Sequence, residues 1–208
     1  MMKRMDTAVV LAGGNSKRMK FNKQSITIGG RLIAVYIADQ LSQEFDRVLI
    51  NSNTPSLYQD SPYEVISDKI TGCGPLSGIL AGLAASESDY TYFTGCDMPF
   101  VNLTYIRYLK KQLNAVSHMT GGILTTTRGL FEPLNAFYSR ELTAPIMDQL
   151  NLGYRQFYKL YGRAEMLYVP EDAVQEFDPD GLMFVNLNTM ADFEKYLFYG
   201  DYYSISAI

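Results

Sequence analysis

Along the chain, short unbroken apolar runs alternate with segments whose apolar residues recur every three or four positions. Residues 8–12, AVVLA, form such a run and stop at Gly13 and Gly14, which predicts a buried strand entering a turn. Leu32, Val35, Tyr36 and Leu41 follow at helical spacing and predict a helix over 32–41. Further strands are predicted over 47–50, ending at Asn51, over 63–66, ending near Asp68, and over 90–94, ending at Cys96 and Asp97. Helices are predicted over 75–85, with Pro75 in the first turn, and over 103–113. Strand–helix alternation implies right-handed βαβ units, hence an α/β fold with a mostly parallel sheet.

The second half is less regular. Residues 122–126 and 134–138 have the character of strands flanking a Gly-containing loop over 127–132, and 166–169 form a short strand before Pro170. Residues 184–185 lead to Asn186. Thr189, with Asp192 three residues on, forms a capping box for a last helix through Leu197. The tail carries Tyr196, Phe198, Tyr199, Tyr202 and Tyr203, a set suited to core or edge packing, or to a subunit interface.

With 208 residues, 47% of them apolar and 19% charged, the chain has the makings of one globular domain. A net charge of −4 gives no electrostatic case for nucleic-acid binding. Two cysteines, Cys73 and Cys96, and one histidine, His118, are too few for a tetrahedral metal site, and free thiols in a reducing compartment are expected. The first apolar run is too short for a signal segment, and no stretch approaches the ~18 apolar residues of a spanning helix. A cytoplasmic protein without a membrane partner is the expectation.

The candidate chemistry lies where strands end. In an open parallel sheet, ligands bind beyond the carboxyl ends of the strands. The loop after the first strand holds Gly13, Gly14, Ser16, Lys17, Arg18, Lys20 and Lys23. Glycines let backbone N–H groups approach an anion, and the cations neutralise it, so the loop suits a polyphosphate. It is neither a P-loop nor a G-x-G-x-x-G turn, because the glycine spacing differs from both. Asn51, Asp68 and Asp97 converge on the same edge. Singly, Asn51 suits a turn, Asp68 a loop cap, and Asp97 a cap for the helix at 103. Together, a carboxylate beside a cationic loop is where Mg²⁺ would join phosphate oxygens.

These motifs carry a resemblance. LAGG followed by Ser16, Arg18, Met19 and Lys23, then GPLSG at 74–78, CDMP at 96–99 and FVNLNT at 184–189, resembles the molybdenum cofactor guanylyltransferases, in order and nearly throughout the chain. EPLNAFY at 132–138 matches the family in the middle segment. The resemblance implies a three-layer α/β/α Rossmann-like nucleotidyltransferase fold in one domain over 1–208. Residues 1–115 would form the nucleotide-binding half and 116–208 the substrate-binding half. It implies transfer of GMP from GTP to the phosphate of molybdopterin or Mo-molybdopterin, with release of pyrophosphate. Nucleotide contacts fall on Leu11, Ala12, Gly13, Gly14, Lys23, Asn51, Asp68, Gly74, Gly78 and Asp97. Arg18, Lys23 and Asp97 fall on catalytic positions, Asp97 as the Mg²⁺ ligand. Asn186 and Asn188 fall on the pterin side. Partners implied are cofactor-biosynthesis proteins and recipient molybdoenzymes. The family usually has glycine where Lys20 stands. Cytidylyl members have alanine in place of Gly13, so Gly13 leans towards GTP. A cytidylyltransferase or sugar-phosphate nucleotidyltransferase of the same fold, and a non-catalytic nucleotide-binding homologue, stand as alternatives.

Overall fold

A computed structural model describes residues 2–13, 23–117, 119–127, 129–197 and 205–207. In chain order the strands are β1 (Thr7–Leu11), β2 (Ile26–Ile28), β3 (Arg31–Leu32), β4 (Arg47–Asn51), β5 (Glu64–Ile66), β6 (Tyr90–Gly95), β7 (Gly122–Thr127), β8 (Leu130–Ser139), β9 (Met166–Val169) and β10 (Ile205–Ala207). The α-helices are α1 (Ile33–Leu41), α2 (Pro75–Ala85), α3 (Leu103–Ala115), α4 (Thr143–Asn151), α5 (Phe157–Tyr161), α6 (Glu171–Gln175) and α7 (Met190–Leu197).

Seven strands form one sheet in the order β5-β4-β1-β6-β8-β7-β9. Only β8 runs against the others, pairing antiparallel with β6 on one side and β7 on the other. The mostly parallel sheet is therefore as predicted. Because β1 is covered on both faces, every one of its residues is buried. Ala8 and Val10 face the core formed with Ile33, Ile37, Ile106 and Leu109 of α1 and α3. Val9 and Leu11 face the opposite core, with Leu76, Ile79 and Leu80 of α2 and Ile146 of α4. These two cores make the three α/β/α layers.

Several boundaries differ from expectation. The helix expected from residue 32 begins at Ile33, because Leu32 pairs with Thr27 in a second, three-stranded sheet, β10-β2-β3. The loop expected over 127–132 is largely strand: β8 begins at Leu130 and runs through Pro133. Pro133 reads as a strand breaker, but the β7–β8 register shifts between Ile123 and Thr125, and proline is tolerated at such an irregularity. Short helices α4, α5 and α6 fill the stretch where no helix was predicted. The capping box at Thr189 and Asp192 is present: Asp192 N–H donates to Thr189 Oγ1 at 3.1 Å, and Thr189 N–H donates to Asp192 Oδ2 at 2.7 Å. Among the described residues, no helix is long and apolar enough to cross a membrane.

Candidate nucleotide and acceptor site

The carboxyl ends of β5, β4, β1 and β6 form a continuous row. Ala12 N–H donates to the Asn51 carbonyl at 2.8 Å, and Cys96 N–H donates to the Leu11 carbonyl at 3.0 Å. The backbone that follows each strand is thereby held against its neighbour one step beyond the ladder. Leu11, Ala12 and Gly13 occupy the centre of this edge, with Asn51 on one side and Asp97 on the other.

On the Asn51 side a polar clasp forms. Asn51, the last residue of β4, is buried, and its Nδ2 donates to Asp68 Oδ1 at 3.1 Å. Asn53 Nδ2 donates to Asp68 Oδ2 at 2.9 Å, and Asp68 N–H donates back to Asn53 Oδ1 at 3.0 Å. Asp68 is half-buried, with both carboxylate oxygens engaged by amides. The close approach explains one glycine. A Cβ at Gly78 would lie 2.6 Å from Asn51 Oδ1 and 2.8 Å from Leu11 Cδ2. Gly78 is buried within α2 and supplies room for the Asn51 amide. Gly74 precedes α2 with φ +69° and ψ −157°, a backbone state essentially restricted to glycine. Gly13 is exposed, and a Cβ there would meet nothing nearer than 3.8 Å.

Gly14 and Arg18 lie outside the described residues, as does Lys20. Lys23 opens a 3-10 turn, Lys23–Ser25, and its side chain is likewise outside the description. The next residue anchors that turn: Gln24 Oε1 accepts from Ser52 Oγ at 2.7 Å and from Tyr58 OH at 3.4 Å. Burial pushes the Tyr58 phenol up, so it remains a neutral donor here. The Lys23 backbone is therefore secured next to the strand-end asparagine.

On the other side, Asp97 follows β6 and is half-buried. It does not cap α3: Asn102 does, its Oδ1 accepting from Tyr105 N–H at 2.9 Å. The Asp97 carbonyl instead accepts from Leu187 N–H at 2.8 Å. This single contact brings the Asn186–Asn188 segment to the end of β6. Both asparagine side chains are exposed. Asn188 N–H donates to Asp192 Oδ2 at 2.9 Å, which ties the segment to the start of α7. A hydrogen bond from Thr189, with backbone N–H donors and Lys195 nearby, holds the Asp192 carboxyl below its usual range.

The structure thus joins Leu11, Ala12, Asn51, Asp68 and Gly78 in one cluster, and Asp97 with Asn186 and Asn188 in another, across β1. Two contributors were missed. Asn53 sits two residues after Asn51, a spacing that places both on one side of an extended segment. Asn135 lies inside the apolar run of β8, where an amide is unexpected without a partner. Neither Cys73 nor Cys96 is in a disulfide, and both are buried. Among the described residues, no three of His, Cys, Asp and Glu cluster as a metal cage.

Known proteins are similar to this chain in sequence and fold. The model of the MobA-like NTP transferase domain matches residues 8–166. A protein of Syntrophotalea carbinolica named molybdenum cofactor guanylyltransferase is 43% identical over 190 residues, 91% of this chain and 90% of its own length. A probable molybdenum cofactor guanylyltransferase of Peptoclostridium acidaminophilum is 37% identical over 193 residues, 91% of this chain and 87% of its own. Among solved structures, molybdopterin-guanine dinucleotide biosynthesis protein A of Archaeoglobus fulgidus superposes with a TM-score of 0.79 at 22% identity. That superposition covers 91% of this chain and 95% of the other.

Proposed function

Because the chain belongs to the family of MobA-like NTP transferase domains, we infer that it is a molybdenum cofactor guanylyltransferase, a nucleotidyltransferase that joins GMP from GTP to the phosphate of molybdopterin. The observation that carries this reading is the 43% identity with the Syntrophotalea relative along nine-tenths of both chains. The geometry agrees with it. One side of the strand-end row offers amides and a carboxylate suited to a nucleoside, and the other offers a carboxylate beside two exposed amides.

In the reaction, an oxygen of the acceptor phosphate bonds to the α-phosphorus of GTP. The bridging bond from that phosphorus to the β-phosphate oxygen breaks, and pyrophosphate leaves with the electron pair. A phosphate monoester is already ionised near pH 7, so the protein has no proton to remove from the nucleophile. Its task is positioning and charge neutralisation. Leu11, Ala12, Gly13, Gly14, Asn51 and Asp68 hold the nucleotide, with Gly78 and Gly74 shaping the wall around it. Arg18 and Lys23 stabilise charge on the departing pyrophosphate. Asn186 and Asn188 orient the acceptor. This division assigns the nucleotide chiefly to residues 1–115 and the acceptor chiefly to 116–208 within one domain.

Asp97 suits a hard divalent cation. A Cβ at residue 95 would lie 2.6 Å from Asp97 Oδ1, so Gly95 leaves space around that oxygen. One carboxylate, with phosphate oxygens and water, is a donor set that magnesium favours. Mg²⁺ held by Asp97 would supply neutralisation of phosphate charge. Partners in this reading are GTP, molybdopterin or Mo-molybdopterin, and proteins that deliver or receive the cofactor; a soluble cytoplasmic setting fits such a biosynthetic step.

The test is pyrophosphate release with GTP, Mg²⁺ and molybdopterin, with CTP and ATP in parallel. Release with GTP alone, yielding a guanine dinucleotide, is the expected result. Equal turnover of CTP would overturn guanylyl specificity, and tight GTP binding without any release would make the chain a non-catalytic nucleotide binder.

A further inference from the structure

Asn135 is the one non-glycine residue at positive φ among those described, at +54°, and it is 4% exposed. It sits where β8 leaves its neighbours. Pairing with β6 extends as far as Phe93 with Ala136. Between the pairs Ile123–Phe137 and Thr125–Glu132, β7 advances two residues and β8 five, so β8 carries a bulge at this point. Asparagine tolerates the left-handed region better than other side chains of its size, which suits the position.

The side-chain amide makes three hydrogen bonds. Oδ1 accepts from Tyr92 OH at 3.0 Å and from Thr94 Oγ1 at 2.8 Å. Nδ2 donates to the Met183 carbonyl at 2.6 Å. Tyr92 and Thr94 belong to β6, with Thr94 the nearer to Asp97. Met183 lies just before Asn186. The contacts close a ring. From Thr94 the chain runs to Asp97, whose carbonyl accepts from Leu187; from Leu187 it runs back to Met183, which Asn135 ties to Thr94. Asp97 and the two acceptor-side asparagines are thus fixed relative to one another by two links, one of them passing through Asn135.

We propose that Asn135 is a positioning residue for the transfer reaction, setting the distance between Asp97 and the Asn186–Asn188 segment. The proposal rests on the guanylyltransferase reading above. The hydrogen bonds of the Asn135 side chain reach none of Leu11, Asn51 or Asp68, so its loss acts on the acceptor and the chemical step and leaves the nucleoside side intact. A buried amide that merely supported the fold would weaken both sides together.

Asn135→Asp is the sharpest variant. It keeps the acceptor for Tyr92 and Thr94, and aspartate tolerates positive φ, but it sets an oxygen against the Met183 carbonyl. Misplacement of reacting groups by about an ångström costs about 100-fold in rate, so kcat should fall about 10- to 100-fold and the acceptor KM should rise. GTP affinity by calorimetry should stay within about 3-fold of wild type, well below the 10-fold that ~1.4 kcal/mol represents. Hydrogen exchange gives a readout independent of turnover: the Leu187 amide should exchange faster in Asn135→Asp, while amides of β1 and β4 keep their protection. Should Asn135→Asp fail to fold, Thr94→Val removes one anchor of the amide without changing β8 and should shift the same parameters less. A folded variant with unchanged acceptor kinetics and unchanged Leu187 exchange overturns the proposal, as does a parallel loss of GTP affinity. Wild-type protein that transfers nothing from GTP to molybdopterin would instead overturn the reading beneath it.

Discussion

Leu187 donates its backbone N–H to the backbone carbonyl of Asp97 at 2.8 Å. The link is main chain to main chain, so it survives any substitution at Asp97 that keeps the local backbone. The carboxylate and this backbone tie are therefore separable, and a side-chain variant leaves the tie in place.

Asp97→Ala should abolish GMP transfer and leave the fold standing. The side chain is half-buried at a strand end, Asn102 already caps α3, and the Leu187 link is kept. Loss of a metal-binding carboxylate removes on the order of several kcal/mol of transition-state stabilisation. Turnover and a thermal melt, measured on the same preparation, separate the two roles. Near-normal turnover with unchanged Mg²⁺ dependence would mean that Asp97 holds no metal.

Gly78→Ala should destabilise the protein by about 1–3 kcal/mol, as overpacking of a filled site does. The new methyl would collide with Asn51 Oδ1 and Leu11 Cδ2 at 2.6 and 2.8 Å. Displacing the Asn51 amide should also weaken GTP binding. The clash predicts a coupling: Asn51→Ala in the Gly78→Ala background should restore part of the lost stability, because the atom collided with is gone. Chemical denaturation of the four proteins gives the cycle. Additive losses would show that the helix tolerates the methyl by moving elsewhere.

Sequence patterning made the parallel half of the sheet legible because its strands are short apolar runs ending in polar residues. Asn51, Asp68 and Asp97 could be placed on one edge for that reason. In the β7–β8 region the strands over 122–126 and 134–138 were legible, but the start of β8, from Leu130 through Pro133, was not. Pro133 and Asn135 both break the strand pattern locally, yet the bulge absorbs the first and a three-bond amide network satisfies the second. No local signal distinguishes a loop from a strand that carries such a bulge. The β2–β3–β10 sheet was hidden because its strands are two or three residues long and β10 joins β2 from the far end of the chain. Asn53 escaped because its partner, Asp68, is remote in sequence. Gln24 anchors the turn that Lys23 opens, a tie that charge patterning alone does not reveal.

The Asn188 and Thr189 amides should loosen in acid. Hydrogen bonding from Thr189 and the neighbouring backbone depresses the folded-state pKa of Asp192. A depressed carboxylate contributes its stabilisation fully above the unfolded value, about 3.9, and loses it as pH falls through the lower folded value. The amide resonances of Asn188 and Thr189 should be independent of pH near neutrality and move together below about pH 4. Asp192→Asn should abolish that titration. A midpoint above the ordinary aspartate range would contradict the hydrogen-bonded geometry.

The clasp around Asp68 yields the most detailed expectation. Its two oxygens accept separately from Asn51 and Asn53, and its N–H returns a bond to Asn53 Oδ1. Asp68→Asn turns one acceptor into a donor, so one of the two amides then faces a like group. A hydrogen bond to a charged group contributes about 1.5–3 kcal/mol, so GTP affinity should drop by about one to two orders of magnitude. Asn53→Ala removes two bonds to Asp68, one of them from the Asp68 backbone N–H, but Asn53 is exposed and Asp68 keeps its bond to the buried Asn51. The loss there should be smaller, about 0.5–1.5 kcal/mol of binding, with kcat at saturating GTP unchanged. Calorimetry with GTP on both variants checks the ranking. Equal losses would mean that Asn53 itself meets the nucleotide, and no loss in either would remove Asp68 from the nucleotide site.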